Sequence, residues 1–163
     1  MERYFTHDFA EPIGRLTVFA TDDAITRVCF GDVPTQCEPG DDRFGFVGQM
    51  SEYLEGKRTS FSLPTSYKGA SSAASGFSGR VMENMARIPY GQTMSYSSLA
   101  AVSGNPKAAR AVGMVCNRNP LAILIPCHRV TGRDGSLTGY AGGLAIKRFL
   151  LELERNRSAA GTE

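Results

Sequence analysis

The chain has 163 residues, with 18 basic and 16 acidic side chains and a formal net charge of +2. Its apolar fraction of 42% and charged fraction of 21% are those of an ordinary folded protein, which excludes disorder, collagen-like sequence and a coiled coil as the main architecture. The longest apolar run, Leu121 to Ile125, falls far short of the roughly 20 residues that cross a bilayer, so no membrane partner is expected.

The opening stretch, MERYFTHDFAEP, carries Glu2, Arg3, Asp8 and Glu11 and has no continuous apolar segment, unlike a signal peptide. The four cysteines, Cys29, Cys37, Cys116 and Cys127, include no CxxC pair, and the chain holds only two histidines. This predicts free thiols in a reducing cytosol and no structural zinc site. Residues 1–73 hold 7 Lys/Arg and 11 Asp/Glu, a net of −4, whereas residues 74–163 hold 11 and 5, a net of +6. A basic second half is a weak pointer to a polyanion such as nucleic acid, and ordinary fluctuation stays open beside it.

In chain order, Met1 to Ala10 alternates loosely and reads as a strand, EPIG as a turn, and Arg15 to Ala20 and Ile25 to Phe30 as two more strands. Cys29 is expected in the core and Cys37 in a loop. Asp41 or Asp42 caps a helix running to Leu54, with Phe46 or Val47, Met50, Tyr53 and Leu54 on its apolar face. The Ser/Ala/Gly-rich stretch Thr65 to Gly79 reads as a joint between domains at 1–70 and 71–163. Beyond it, a helix from Ser78 to Ile88 turns Val81, Met82, Met85 and Ile88 to one side. Ser95 caps a short helix, Tyr96 to Val102, and Asn105 with Pro106 reads as the start of the next, running to about Cys116. The pair fits a helix-turn-helix or an ordinary helical hairpin. The second helix presents Ala109, Ala111 and Gly113 around Arg110. Such a surface lets a backbone approach a partner closely but lacks the long polar side chains that read base edges; tight helix packing with Arg110 in solvent is the alternative.

After Asn119-Pro120, LAILI reads as a buried strand that runs into Pro126-Cys127-His128-Arg129. A thiol beside an imidazole and a guanidinium is a candidate activated nucleophile, because an unperturbed thiol is only a few per cent ionised at neutral pH. Adjacent side chains diverge, so communication through a water is expected; a buried structural cysteine beside a surface histidine is the alternative. Asp134-Gly135 marks a tight turn, with Val130 to Thr138 as a hairpin or wing. The last helix, Leu144 to about Arg155, places Leu144, Phe149 (or the Arg148 stem), Leu150, Leu151 and Leu153 on its apolar side. Glu152 or Glu154 near its end could orient His128.

Residues 119–154, NPLAILIPCHRVTGRDGSLTGYAGGLAIKRFLLELE, closely resemble the active-site region of the O6-alkylguanine-DNA alkyltransferases, also called methylated-DNA–protein-cysteine methyltransferases. The resemblance extends upstream through IPYGQTMSYSSLAAVSGNPKAARAVG (88–113) and, more loosely, to EPIGRL (11–16). It implies an α/β (α+β) protein: a small N-terminal ribonuclease H-like α/β domain and a C-terminal, mainly helical, winged helix-turn-helix domain. It implies double-stranded DNA carrying O6-alkylguanine as partner, with O4-alkylthymine left open. A monomer in solution is expected, and cooperativity on DNA is left open.

The resemblance also assigns roles. Cys127 accepts the alkyl group once and irreversibly. His128 is the base through a water, oriented by Glu154. Asn119 bonds within the active-site turn, and Tyr96 donates to the guanine. Tyr140 and the Val130 backbone hold the flipped base, while Arg110 replaces it in the stack; extrusion is needed because the O6 substituent lies inside the duplex. No cofactor is required. Ala122 stands where proline is frequent in the family and Phe149 where tryptophan is frequent. Some members hold zinc at positions near Glu2, Thr21 and Thr26, which here are not Cys or His, so no metal is expected. Alkyltransferase-like proteins, which only bind lesions, lack the nucleophile that Cys127 supplies. That binding class, a transcription regulator and a cysteine hydrolase are the competing readings.

Overall fold

The computed structural model of the chain describes residues 1–67 and 76–161; the centre of the expected joint lies outside them. In the first half, Arg3–Asp8 (β1), Arg15–Ala20 (β2) and Ile25–Phe30 (β3) form an antiparallel meander. The short Glu38–Pro39 (β4), unforeseen in the sequence, adds in parallel to β1, giving the order β3-β2-β1-β4. β2 is buried from Leu16 to Ala20. Phe46–Leu54 (α1) packs across this sheet with Phe46, Met50 and Tyr53 inward. The helix starts later than its capping acids promised. Gly45 occupies the cap, and Asp42 reaches forward to accept the Phe46 and Val47 N–H groups at 2.7 and 2.8 Å. It thus satisfies two otherwise orphaned donors from outside the helix.

The second half holds Gly76–Ala86 (α2), Met94–Ser95 (β5), Tyr96–Val102 (α3), Ala109–Asn117 (α4), a 3-10 turn at Cys127–Arg129, Val130–Thr131 (β6) and Leu144–Gly161 (α5). Val81, Met82, Met85 and Ile88 are buried as expected. Ser95 caps α3 by accepting the Ser98 N–H.

The structure departs from five expectations. Asn105 does not start a helix: its side chain accepts the Lys107 N–H and its carbonyl the Ala108 N–H, closing a local turn. α4 therefore begins only at Ala109. Asx turns and N-caps use the same side-chain oxygen, and here the turn wins. LAILI is not a strand. Leu121 and Ile125 are joined by an Ile125 N–H to Leu121 carbonyl bond at 2.9 Å, and Ile123 sits at φ 70°. The run is apolar because the bend is buried. Val130–Thr138 forms no paired hairpin, since β6 pairs in parallel with β5, but the tight turn expected at Asp134-Gly135 is there: the Gly132 N–H donates to the Ser136 carbonyl at 2.8 Å and Gly135 sits at φ 81°. The buried side of α5 is Ile146, Lys147, Leu150 and Glu154, while Leu144 is 44% exposed. Lys147 thus faces inward where Leu144, Phe149, Leu151 and Leu153 were expected beside Leu150. Cys29, expected in the core, is half-buried because its strand turns Ile25 and Val28 inward instead.

The two halves meet through backbone. The outer edge of β3 bonds to the bend: the Val28 N–H donates to Pro120 and the Ala122 N–H to Val28, at 2.8 and 3.2 Å. The sheet thereby holds the segment that leads to Cys127.

Candidate active site

Cys127 opens the 3-10 turn and is 6% exposed. Asn119, eight residues earlier, ties the bend together. Its Oδ1 accepts the Leu121 N–H at 3.0 Å, and its Nδ2 donates to the Ile125 carbonyl at 2.8 Å and to Cys127 Sγ at 3.2 Å. Burial pushes the Cys127 thiol above its ordinary value, against the Asn119 bond and the Lys147 charge, which pull it down. The resting sulfur is therefore a neutral thiol, whereas the neighbouring His128 and Arg129 had promised a raised thiolate fraction.

His128 is fully buried, and its Nε2 lies 2.8 Å from Glu154 Oε2. A carboxylate only accepts, so Nε2 carries the proton. Nδ1 is left as an acceptor, buried and without a hydrogen-bond partner among the described residues. Burial lowers the His128 proton affinity, while Glu154 raises it and Arg129 and Lys147 lower it further. The imidazole is held neutral.

Of the two candidate acids, the structure selects Glu154 over Glu152, which is exposed. Glu154 is 1% exposed and accepts five hydrogen bonds. They come from His128, from Arg129 through Nε at 2.8 Å and Nη2 at 2.9 Å, from the Gly91 N–H at 3.2 Å, and from the Tyr53 hydroxyl. Burial alone would raise its pKa, but the bonds and charges of His128 and Arg129 outweigh it and keep Glu154 ionised. Gly91 must be glycine. It sits at φ 79°, and a Cβ there would lie 2.0 Å from Ser158 Oγ. Arg129 also donates to the Ile88 carbonyl at 2.6 Å.

Tyr96 begins α3. Its oxygen accepts from Thr138 Oγ1 at 3.0 Å and lies 3.5 Å from Lys147 Nζ. Its own hydrogen is thus free for another acceptor, and burial raises its pKa. Lys147 is 1% exposed and donates to the Thr138 carbonyl at 2.9 Å. Val130 is fully buried, and the Tyr140 hydroxyl is buried without a partner among the described residues. The Tyr140 ring meets Phe30 of β3 edge-on at 5.6 Å. Cys116 faces Met85 at 3.7 Å, its thiol pushed up to about 12 by burial.

Arg110 stands exposed in the first turn of α4. Ala109, Ala111 and Gly113 are half-buried on the same helix, whose Val112, Val115 and Cys116 enter the core. A Cβ on Gly113 would meet only Tyr96, at 4.0 Å. The sequence reading missed Tyr53, Lys147 and Phe30. Of the three, Tyr53 alone left a signal in the sequence, its inward position on the helix. Glu2 and Thr26, at expected metal positions of relatives, hydrogen-bond to each other, and Cys37 donates to Glu2 at 3.6 Å.

Residues 4–67 match the ribonuclease-like domain of 6-O-methylguanine DNA methyltransferase, and residues 76–156 match that family's DNA binding domain. The methylated-DNA–protein-cysteine methyltransferase of Mycobacterium tuberculosis is 40% identical over 166 residues, covering 98% of this chain and 96% of that one. The constitutive enzyme of that name from Bacillus subtilis is 40% identical over 155 residues, covering 88% and 91%. A crystal structure of the M. tuberculosis protein with DNA superposes with a TM-score of 0.85 at 40% identity, over 95% of this chain and 94% of that one. The likeness runs through both halves of the chain; the chain belongs to the methylated-DNA–protein-cysteine methyltransferase family.

Proposed function

We propose that this protein repairs DNA by moving an alkyl group from guanine O6 onto Cys127, each molecule reacting once. One observation carries the assignment to these residues. A neutral buried thiol, bonded by Asn119, lies next to a neutral histidine whose Nε2 is committed to Glu154 and whose Nδ1 is unpartnered. A water between Sγ and Nδ1 passes the thiol proton to His128. Sulfur then attacks the alkyl carbon, a C–S bond forms and the C–O6 bond breaks. The departing guanine takes a proton or hydrogen bond from Tyr96, whose hydroxyl hydrogen has no acceptor among the described residues. The thioether does not hydrolyse, so no turnover follows and no cofactor is needed.

The lesion reaches the buried sulfur by leaving the duplex, at a cost of a few kcal/mol. α4 offers the means: Ala109, Ala111 and Gly113 allow close approach, and Arg110 fills the space the base leaves. Tyr140 and the Val130 backbone line the pocket that receives it. Backbone phosphates supply most of the affinity, which weakens with salt. The reducing cytosol suits a free thiol nucleophile.

Intact-mass measurement after mixing with a duplex bearing one O6-methylguanine tests this. One added methyl, stoichiometric and absent in Cys127→Ser, is the expected result. Tight binding with no mass gain would place the protein among lesion-binding relatives instead.

A further inference from the structure

The reacting groups all come from the second half of the chain, yet one buried polar group of the first half reaches them. Tyr53, in the last turn of α1, is 1% exposed. Its ring packs against Phe61 at 5.2 Å and edge-on against Tyr90 at 6.1 Å. Phenylalanine would fill that space equally well, so the hydroxyl needs its own explanation. It donates to Glu154 Oε2 and lies 3.5 Å from His128 Nε2. Oε2 already takes the His128 N–H at 2.8 Å and Arg129 Nη2 at 2.9 Å. A carboxylate offers about four lone-pair sites over both oxygens, so three donors on one oxygen compete. A donor that draws charge from Oε2 weakens the pull of Glu154 on the His128 N–H, and Nδ1 becomes a weaker base.

We propose that Tyr53 is a positioning residue of the transfer reaction, whose hydroxyl shares Glu154 Oε2 with His128 and thereby restrains the basicity of the imidazole. The inference rests on the reading of Cys127 as alkyl acceptor and gives the N-terminal domain a direct part in the chemistry. Among the described residues, the ionisable groups that act on His128 are Glu154 and Lys147 from α5, Tyr53 from α1 and Arg129 from its own turn, with Cys127 adjacent in the chain. Only Tyr53 can be altered without removing a charge or the nucleophile. The hydroxyl keeps His128 neutral, ready to accept the thiol proton, over a wider range of pH than Glu154 alone would allow.

The test uses the full chain with Tyr53→Phe. The protein has two histidines, and His7, exposed on β1, serves as the internal reference in an imidazole nitrogen NMR titration. His128 is expected to take up its proton at higher pH in the variant, with His7 unmoved. Single-turnover reaction with O6-benzylguanine should lose its acid limb correspondingly. The ratio of the rate at pH 6 to that at pH 8 falls by about threefold or more relative to the parent. A fluorinated tyrosine at position 53, a stronger donor of the same shape, should move His128 the opposite way and serves if the phenylalanine variant folds poorly. An unmoved His128, or a rate reduced equally at every pH, overturns the inference. The titration needs no alkyl transfer. A shifted His128 without transfer would therefore count against the proposed function alone.

Discussion

Asn119 joins two jobs that substitution can separate. In Asn119→Ala, the buried Leu121 N–H loses its Asn119 partner, a loss of about 1–3 kcal/mol. The Ile125 carbonyl keeps the Cys127 N–H at 2.8 Å and loses only the Asn119 bond, about 1 kcal/mol. The sum, about 2–4 kcal/mol, is a fraction of the roughly 5–15 kcal/mol of a typical fold. The variant should therefore fold and melt about 4–16 °C lower.

The bond to sulfur acts on rate. Nδ2–H donates to Sγ at 3.2 Å, and the interaction is stronger once the sulfur has given up its proton and carries the negative charge that it then passes on in the attack. A hydrogen bond to a charged group is worth about 1.5–3 kcal/mol, which predicts a loss of about 10- to 100-fold in the transfer rate. Single-turnover alkylation by O6-benzylguanine, run well below the melting point, measures it, and a thiolate absorbance titration should show Cys127 ionising at higher pH. Asn119→Asp keeps the acceptor for Leu121 but puts a negative charge against sulfur, so it should be slower than alanine. A variant destabilised as calculated but transferring at the parent rate would show that the sulfur contact is incidental.

Three further outcomes follow from other contacts. In Gly142→Ala the new Cβ would lie 2.9–3.0 Å from three atoms of the Phe30 ring. A stability loss of about 1–3 kcal/mol is expected, with slower transfer because Phe30 backs Tyr140, and thermal melts should show Phe30→Leu relieving part of the loss. Arg110→Ala should weaken repair of duplex DNA and leave the rate on free O6-benzylguanine unchanged; equal loss on both substrates would make Arg110 structural. Denaturant titrations across pH should show stability falling with acidity in two stages. The His128 pKa is lowered by burial, so the unfolded chain binds its proton first and stability drops as pH falls below the ordinary value of 6.5. Glu154 is also held below its ordinary value of 4.5, so its contribution, present above that pH, is lost below it. Glu154→Gln should remove the lower stage.

Local signals in the sequence were read well. β2, β3 and α3 have the expected boundaries, since alternation and the Ser95 cap act within a few residues. The Cys127-His128 pair and a carboxylate near the end of the last helix are legible in the residues, the family's motifs single out Glu154, and the structure places Glu154 Oε2 2.8 Å from His128 Nε2. The errors arise where one local signal serves two structures. Asn105 offers the same oxygen to a turn and a helix cap. Leu121 to Ile125 is apolar whether it is a strand or a buried bend. Tyr53 was seen on its helix face, but its partner Glu154 lies 101 residues away, beyond the reach of any periodicity. Lys147 was hidden because a buried ammonium needs the Thr138 carbonyl and the Tyr96 oxygen, both supplied by tertiary folding.

The placement of the thiol explains why the first half is needed. A three-residue turn cannot fix Cys127 by itself. The bend before it holds Ile123, a β-branched residue, at φ 70°, a conformation that costs about 1–3 kcal/mol and persists only when its surroundings impose it. Asn119 imposes it from within and β3 from outside, through the two Val28 bonds to Pro120 and Ala122. Phe30, two residues further along the same strand, backs Tyr140, and Tyr53 closes on Glu154. The sheet therefore contacts the bend that leads to Cys127 and the Tyr140 ring, and α1 contacts Glu154. Loosening the β3 edge should reach Cys127 before it unfolds either half, because the strained bend has least of its own to hold it.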